Sequence, residues 1–351
     1  MSLPSLPNPP VLPVTVTMRH VAAALGVSIT TVSKVLNNRG DIGHEMRGRV
    51  LAKVEELGYR PNAVARSLTL RRTNTLGVIV ADLMHSFFVE IVTSIEEYLH
   101  PRGYGLLLCN VGEDPLRQRP QLQMLLDRQV DGVILASVDP DHSNTLLARL
   151  IAAGKGLVLI DRDDHQALDC HRVLTDDQKV GQMATEHLIA LGHRRIAHLQ
   201  GPRLTHAIRR EQGYRTAMAQ HGLAVSPNWL VPCGFRERDG YQSIMRLGEV
   251  APDVTAVFVA NDSAAIGALE GARALGWEVP RDISIVGAGG IAHIDMLRVP
   301  LTTVSWSRSE MGVGAARLML DQIDQHPNGP FRRLIVPPTL IARDSSGPAG
   351  V

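Results

Sequence analysis

Hydrophobic and polar positions fall into two textures along the 351-residue chain. From residue 76 onward, short apolar runs alternate with stretches of helical periodicity: 76–81, 105–109, 132–136, 156–160, 195–199, 256–260 and 283–286. Apolar runs without alternation, separated by helices, predict strands buried on both faces, hence parallel sheets covered by helices. Seven such runs are too many for one comfortable sheet, so the pattern predicts two doubly wound α/β lobes. About 270 residues arranged this way bury roughly three quarters of their unfolded surface.

The first 75 residues have another texture. Thr17 can cap a short helix that buries Val21, Ala22 and Leu25, and Gly26 supplies the freedom for a tight turn. Ser28 can cap a second helix by accepting from the N–H of Thr30 or Thr31. That helix buries Val32 with Leu36 or Val35 and turns Ile29, Thr30, Ser33, Lys34 and Asn37 outward. Hydroxyls, an amide, a cation and one apolar probe suit base edges and phosphates. A third helix over 45–57 carries Met46, Val50, Val54 and Leu57 on one face.

The run Val-Ala-x-x-x-Gly-Val-Ser-x-x-Thr-Val-Ser-x-Val-Leu-Asn, then Gly-Tyr-x-Pro-Asn-x-x-Ala-Arg-Ser-Leu, closely resembles the lactose-repressor (LacI/GalR) family of bacterial transcription regulators. The resemblance continues to about Arg343. It implies a helix-turn-helix head over 16–61, a hinge helix and linker over 62–74, and a periplasmic-binding-protein-like (type I) body over 75–343. The first lobe would take about 75–174 and 307–334, the second about 175–306 and 335–343, between tails at 1–15 and 344–351. In the head and hinge, Thr17, Ser28, Ile29, Thr30, Thr31, Ser33, Lys34, Asn37, Tyr59, Asn62, Ala65 and Leu68 would contact DNA. Tyr59 and Asn62 would meet phosphates, and Leu68 would enter the minor groove as an apolar wedge. The partners implied are a near-palindromic double-stranded operator, a second copy of the chain and a small effector.

Charge fits this division. Residues 1–72 hold ten Lys/Arg against four Asp/Glu, net +6, and the rest holds 26 against 31, net −5. A neutral whole hides a basic head, which attracts polyanions. Cys109, Cys170 and Cys233 are scattered, with no metal-ligand spacing, and read as reduced cytoplasmic thiols. No apolar run approaches the roughly 20 residues that span a bilayer. The proline-rich start lacks the layout of a signal peptide, against an exported solute-binding protein. No cofactor, metal or membrane partner is expected.

Ligands of such sheets sit beyond the carboxyl ends of the strands. There the sequence places Phe87 and Phe88 after the first run and Asp161 after the fourth. The resemblance adds Arg210 before its Gly-Tyr pair, Phe235 as an aromatic wall, Asn261 after the 256–260 strand, and Trp306 at the last crossover. Three positions depart from the family pattern: Arg19-His20 stands where an acidic residue is usual in the first turn of helix one, Gly43 stands where a Ser cap is usual before helix three, and the third follows the 283–286 strand. Where an aromatic and an aspartate usually follow the 283–286 strand, this chain has Ala288-Gly289-Gly290. A lost carboxylate at Gly289 would leave Arg210 less neutralised and favour a sugar acid or sugar phosphate over a neutral sugar. A corepressor-dependent regulator with a non-sugar effector is the alternative. No nucleophile elbow, paired catalytic carboxylates or metal triad stands out, so no catalytic residue is assigned.

Overall fold

The computed structural model describes residues 16–36, 40, 42–60, 72–136, 144–165, 168–325 and 329–350. The chain divides into two compact units, Met1–Thr73 and Asn74–Val351.

In the first unit, α1 (Met18–Leu25), α2 (Ile29–Leu36) and α3 (His44–Glu56) surround a core of Val21, Ala22, Val32, Val35, Val50 and Tyr59. Gly26 ends α1 with φ +64°, a left-handed turn open to glycine. Ser28 Oγ accepts from Thr31 N at 3.0 Å and caps α2. At the start of α1, His20 Nδ1 accepts from the Thr17 N–H at 3.1 Å, so an imidazole does the work a carboxylate usually does there.

The second unit holds two six-stranded sheets. The first comprises β1 (Thr75–Val80), β2 (Gly105–Asn110), β3 (Gly132–Leu135), β4 (Gly156–Ile160), β5 (His171–Thr175) and β11 (Arg333–Val336), all parallel, in the order β11-β5-β4-β3-β1-β2. The second comprises β6 (Ile196–Gln200), β7 (Leu230–Pro232), β8 (Ala256–Val259), β9 (Ser284–Gly289), β10 (Thr302–Ser305) and β12 (Thr339–Ile341), in the order β12-β10-β9-β8-β6-β7. Only its β10–β12 pair is antiparallel. Helices α4 (Ser86–Leu99), α5 (Pro115–Asp127), α6 (Asn144–Ala152) and α11 (Arg308–Leu320) belong with the first sheet. Helices α7 (Asp177–Ala190), α8 (Thr205–Gln220), α9 (Glu237–Val250) and α10 (Asp262–Ala274) belong with the second.

Three chain crossings join the lobes, after Thr175, after Ser305 and after Val336. The last lies beyond the 334/335 point expected, because β11 pairs with β5 through Val336. The segment expected as a tail from 344 is part of the second lobe. Ser345 is fully buried, its N–H donates to the Pro300 carbonyl, and Ala349 N donates to Leu191 O at 2.9 Å. His193 anchors this segment, with Nε2 3.0 Å from the Gly347 carbonyl and Nδ1 2.9 Å from Thr255 Oγ1.

Candidate effector cavity and DNA-reading head

The carboxyl ends of both sheets meet around a cavity between the lobes, where ligands of such sheets sit. All eight residues expected there line it: Phe87, Phe88, Asp161, Arg210, Phe235, Asn261, Gly289 and Trp306. Each lies at or just after a strand end or on the first turns of the helix beyond it. The aromatic residues form two walls. Phe87 meets Phe88 and Trp306 edge-on, with centroids 5.2 and 5.8 Å apart, and Phe235 stacks on His206 at 5.2 Å.

Arg210 is 4 % exposed and fixed from behind. Its Nε and Nη2 reach Asp177 Oδ1 at 2.9 and 2.8 Å, and Nη1 donates to the Ala260 carbonyl at 2.7 Å. Three of its five N–H groups are thereby taken, leaving two for a ligand. The guanidinium carbon lies 5.1 Å from the Trp306 ring centre. Burial pushes the Asp177 carboxyl above its ordinary range, and Arg210 pulls it back toward ionisation.

This geometry corrects the expectation of an under-neutralised Arg210. Asp177, 33 residues away in sequence and at the start of α7, supplies the counter-charge. The second cavity guanidinium, Arg162, is likewise paired with Glu113 at 2.6 and 2.9 Å. The Ala288-Gly289-Gly290 turn is held by Asp262, whose Oδ2 accepts from Ile291 N at 3.0 Å and whose Oδ1 accepts from Thr303 Oγ1 at 2.7 Å. A Cβ at Gly287 would collide with Asp262 Oδ1, so the glycine makes room for that carboxylate.

Asp161 adopts φ +65° in a tight turn after β4, its N–H donating to Val173 O at 2.9 Å. Among the described residues its carboxylate has no hydrogen-bond donor; the nearest cation is Arg162 Nε at 3.8 Å. Burial raises its pKa, opposed by Arg162 and Arg210. Asn261 has a structural duty: Oδ1 accepts from Ala264 N to cap α10, and Nδ2 donates to the Phe235 carbonyl, both at 2.9 Å. Gly289 gives its carbonyl to Arg308 at 2.7 Å.

Sequence reasoning missed His85, Glu113, Arg162, His206, Asp262 and Ser263 at this cavity. His85, from the first lobe, donates from Nε2 to the Phe235 carbonyl of the second at 3.0 Å. His206 is kept neutral by burial and by the two nearby guanidiniums. His206 Nδ1 and Trp306 Nε1, buried polar atoms at the cavity, have no hydrogen-bond partner among the described residues. Unpartnered buried groups are costly, so ligand or water must satisfy them.

In the head, Ile29 (44 % exposed), Thr30 and Lys34 are exposed on α2, and Ser33 is half-buried. Thr17 and Ser28 are exposed at the helix starts, and Ser28 Oγ lies 2.9 Å from Thr31 Oγ1. Tyr59 is 7 % exposed and serves first as a core residue, which limits any phosphate contact to its uncovered edge. Asn37, Asn62, Ala65 and Leu68 lie outside the described residues.

Residues 73–344 match the family described as periplasmic binding proteins and sugar binding domain of LacI family, and residues 17–62 match bacterial regulatory proteins, lacI family. The chain belongs to the LacI family. Similar relatives include the ribose operon repressor of Haemophilus influenzae, 33% identical over 330 residues, covering 94% of this chain and 98% of the relative. The transcriptional repressor PurR of the same species is 34% identical over 335 residues, with the same coverage. Among solved structures, the lac repressor dimer bound to operator and the anti-inducer ONPF superposes with a TM-score of 0.82 at 25% identity, covering 95% of this chain and 99% of that one. This LacI-family chain is therefore a ligand-responsive DNA-binding transcription regulator, with an operator-reading head and an effector-binding body. No described helix is long and apolar enough to cross a membrane.

Proposed function

We propose that the effector is a small, neutral polyhydroxy compound of the sugar class, held in the interlobe cavity and controlling operator binding by a dimer. The observation that carries this reading is the match between cavity charges and donors. Both guanidiniums are already neutralised, Asp161 offers an unused carboxylate to hydroxyls, and Arg210, Trp306 Nε1 and His206 Nδ1 offer further polar atoms. The aromatic walls can cover the apolar face of a sugar ring. The relative named ribose operon repressor supports a sugar. A flat base could also stack on Phe87 and Trp306, but it would leave the carboxylate of Asp161 without enough donors.

Asp161, Arg210, Phe235 and Trp306 are the residues we assign to effector contact, and Ile29, Thr30, Ser33 and Lys34 to base edges and phosphates. Contacts spanning the lobes, such as His85 to Phe235 and Arg236 Nη2 to Asp82 Oδ2 at 3.1 Å, hold the cleft in its present setting. A ligand that binds this setting better than a wider one shifts the lobe angle and, through it, the head's affinity for DNA. Calorimetric screening of the full chain against neutral sugars, sugar acids, sugar phosphates and purines tests the reading. A selective neutral sugar, lost in Asp161→Ala, supports it; a purine or an acid as the sole hit contradicts it.

A further inference from the structure

A second, open concavity lies at the crossover edge of the body, and its lining includes Asp163, Arg172, Arg209, Phe331, Arg332 and Arg333. Four guanidiniums here face two carboxylates. Arg172 is spent inward: Nε on Asp163 Oδ1 at 2.7 Å, the rest on the carbonyls of Cys170, His165 and Leu168. Arg333 and Arg209 share the other oxygen, Asp163 Oδ2, at 3.2 and 3.7 Å. Arg332 pairs with Asp321 at 2.7 Å. One buried carboxylate thus serves three cations, and Arg209 and Arg333, 28 % and 49 % exposed at their side chains, keep donors to spare.

We propose that this concavity is a second ligand site that binds the phosphate group of a small molecule. Paired N–H donors of guanidinium match phosphate oxygens, and four guanidiniums lining one wall with a single lining carboxylate, Asp163, supply the attraction. Phe331, 43 % exposed, offers an apolar wall to whatever carries the phosphate. The placement links this site to the effector cavity. Arg209 precedes Arg210 on α8, and Asp163 lies two residues beyond Asp161 in the same loop, so neighbouring residues serve both sites. Arg332 and Arg333 come from the first lobe and Arg209 from the second, so a phosphate held by all three ties the lobes together. Ligands at the two sites then affect each other reciprocally.

The test is titration of the full-length protein with inorganic phosphate at constant ionic strength, read by calorimetry and thermal melting, in wild type and Arg209→Gln/Arg333→Gln. Both positions are partly exposed, and an unchanged melting point without phosphate shows the variant folded; the single Arg333→Gln serves as a milder check. The expected result is saturable binding that raises the wild-type melting temperature by roughly 5 °C at a hundredfold excess over Kd. Affinity should fall at least tenfold in the double variant. Glucose 6-phosphate binding more tightly than phosphate, with the same variant sensitivity, would mark a phosphorylated metabolite as the occupant; equal affinity would mark free phosphate. No saturable binding, or binding undiminished in the double variant, overturns the proposal.

Discussion

Gly181→Ala should damage the body far more than one methyl group suggests. Helices α7 and α8 cross at two glycines: a Cβ on Gly181 would fall on the Arg210 carbonyl oxygen, and one on Gly213 would fall on the Gln178 carbonyl oxygen. Backbone cannot yield as a flexible side chain can, and real Cβ contacts stay beyond 3.0 Å, so the helices must separate by about an ångström. Overpacking of that kind costs roughly 1–3 kcal/mol. The same shift carries Arg210 away from Asp177 and weakens charged hydrogen bonds worth about 1.5 kcal/mol or more each. A total of roughly 2–4 kcal/mol corresponds to a melting point lower by about 5–15 °C for a unit of this size. Scanning calorimetry and urea titration of the full chain measure it. Gly105→Ala is the control, since its Cβ would meet nothing within 4 Å. A Gly181→Ala melting point equal to the control's would refute the crossing argument.

Three further outcomes follow from the same geometry. Asp177→Asn removes the counter-charge behind Arg210, so acidic sugar analogues should gain roughly tenfold over neutral ones in calorimetry; an unchanged preference would show that Asp177 does not set the cavity's charge. His198 lies between the Tyr214 and Phe258 rings, and burial depresses its pKa from 6.5 to about 4. Because the unfolded chain takes up this proton first, the neutral ring's contribution is present above pH 6.5 and is lost as pH falls through 4, roughly 3 kcal/mol in all. His198→Phe should flatten the stability profile over that interval, and an equally steep loss would remove His198 from the account. In the head, Lys34→Ala should weaken DNA binding and reduce its salt dependence by about one counterion, measured by anisotropy across salt concentrations; an identical salt slope would place Lys34 off the phosphates.

The strands visible in sequence, β1 to β4, β6, β8 and β9, are the ones with apolar runs, although β2 lies at a sheet edge with Leu108 exposed and β6 and β9 also bury His198 and Ser284. Those missed are short, polar or at sheet edges. β10, Thr-Thr-Val-Ser, looks like a surface segment, yet Thr302 and Thr303 are fully buried because their hydroxyls reach Arg343 O and Asp262 Oδ1. β7 ends in Pro232 at a sheet edge, and β11 begins with Arg333, so neither forms an apolar run. At the cavity, strand ends and the family motif identified its lining, while its charge balance stayed hidden. Asp177 and Glu113 read as ordinary helix-start and loop acids, and only the packing of α7 on α8 and of Glu113 against Arg162 turns them into counter-ions. The ordered 345–350 segment was illegible for a similar reason: His193, Thr255 and Ser284, remote in sequence, supply its anchors.

The measurement that bears most directly on the central claim is operator binding with and without the cavity's ligand. Full-length protein is titrated by anisotropy onto a genomic DNA fragment selected by the protein itself, with and without the neutral sugar that binds in calorimetry. Binding should be salt-sensitive, with an affinity that changes at least tenfold with the sugar. In Trp306→Ala the response to sugar should vanish while DNA affinity without sugar persists. DNA affinity indifferent to a sugar that demonstrably occupies the protein would contradict that claim.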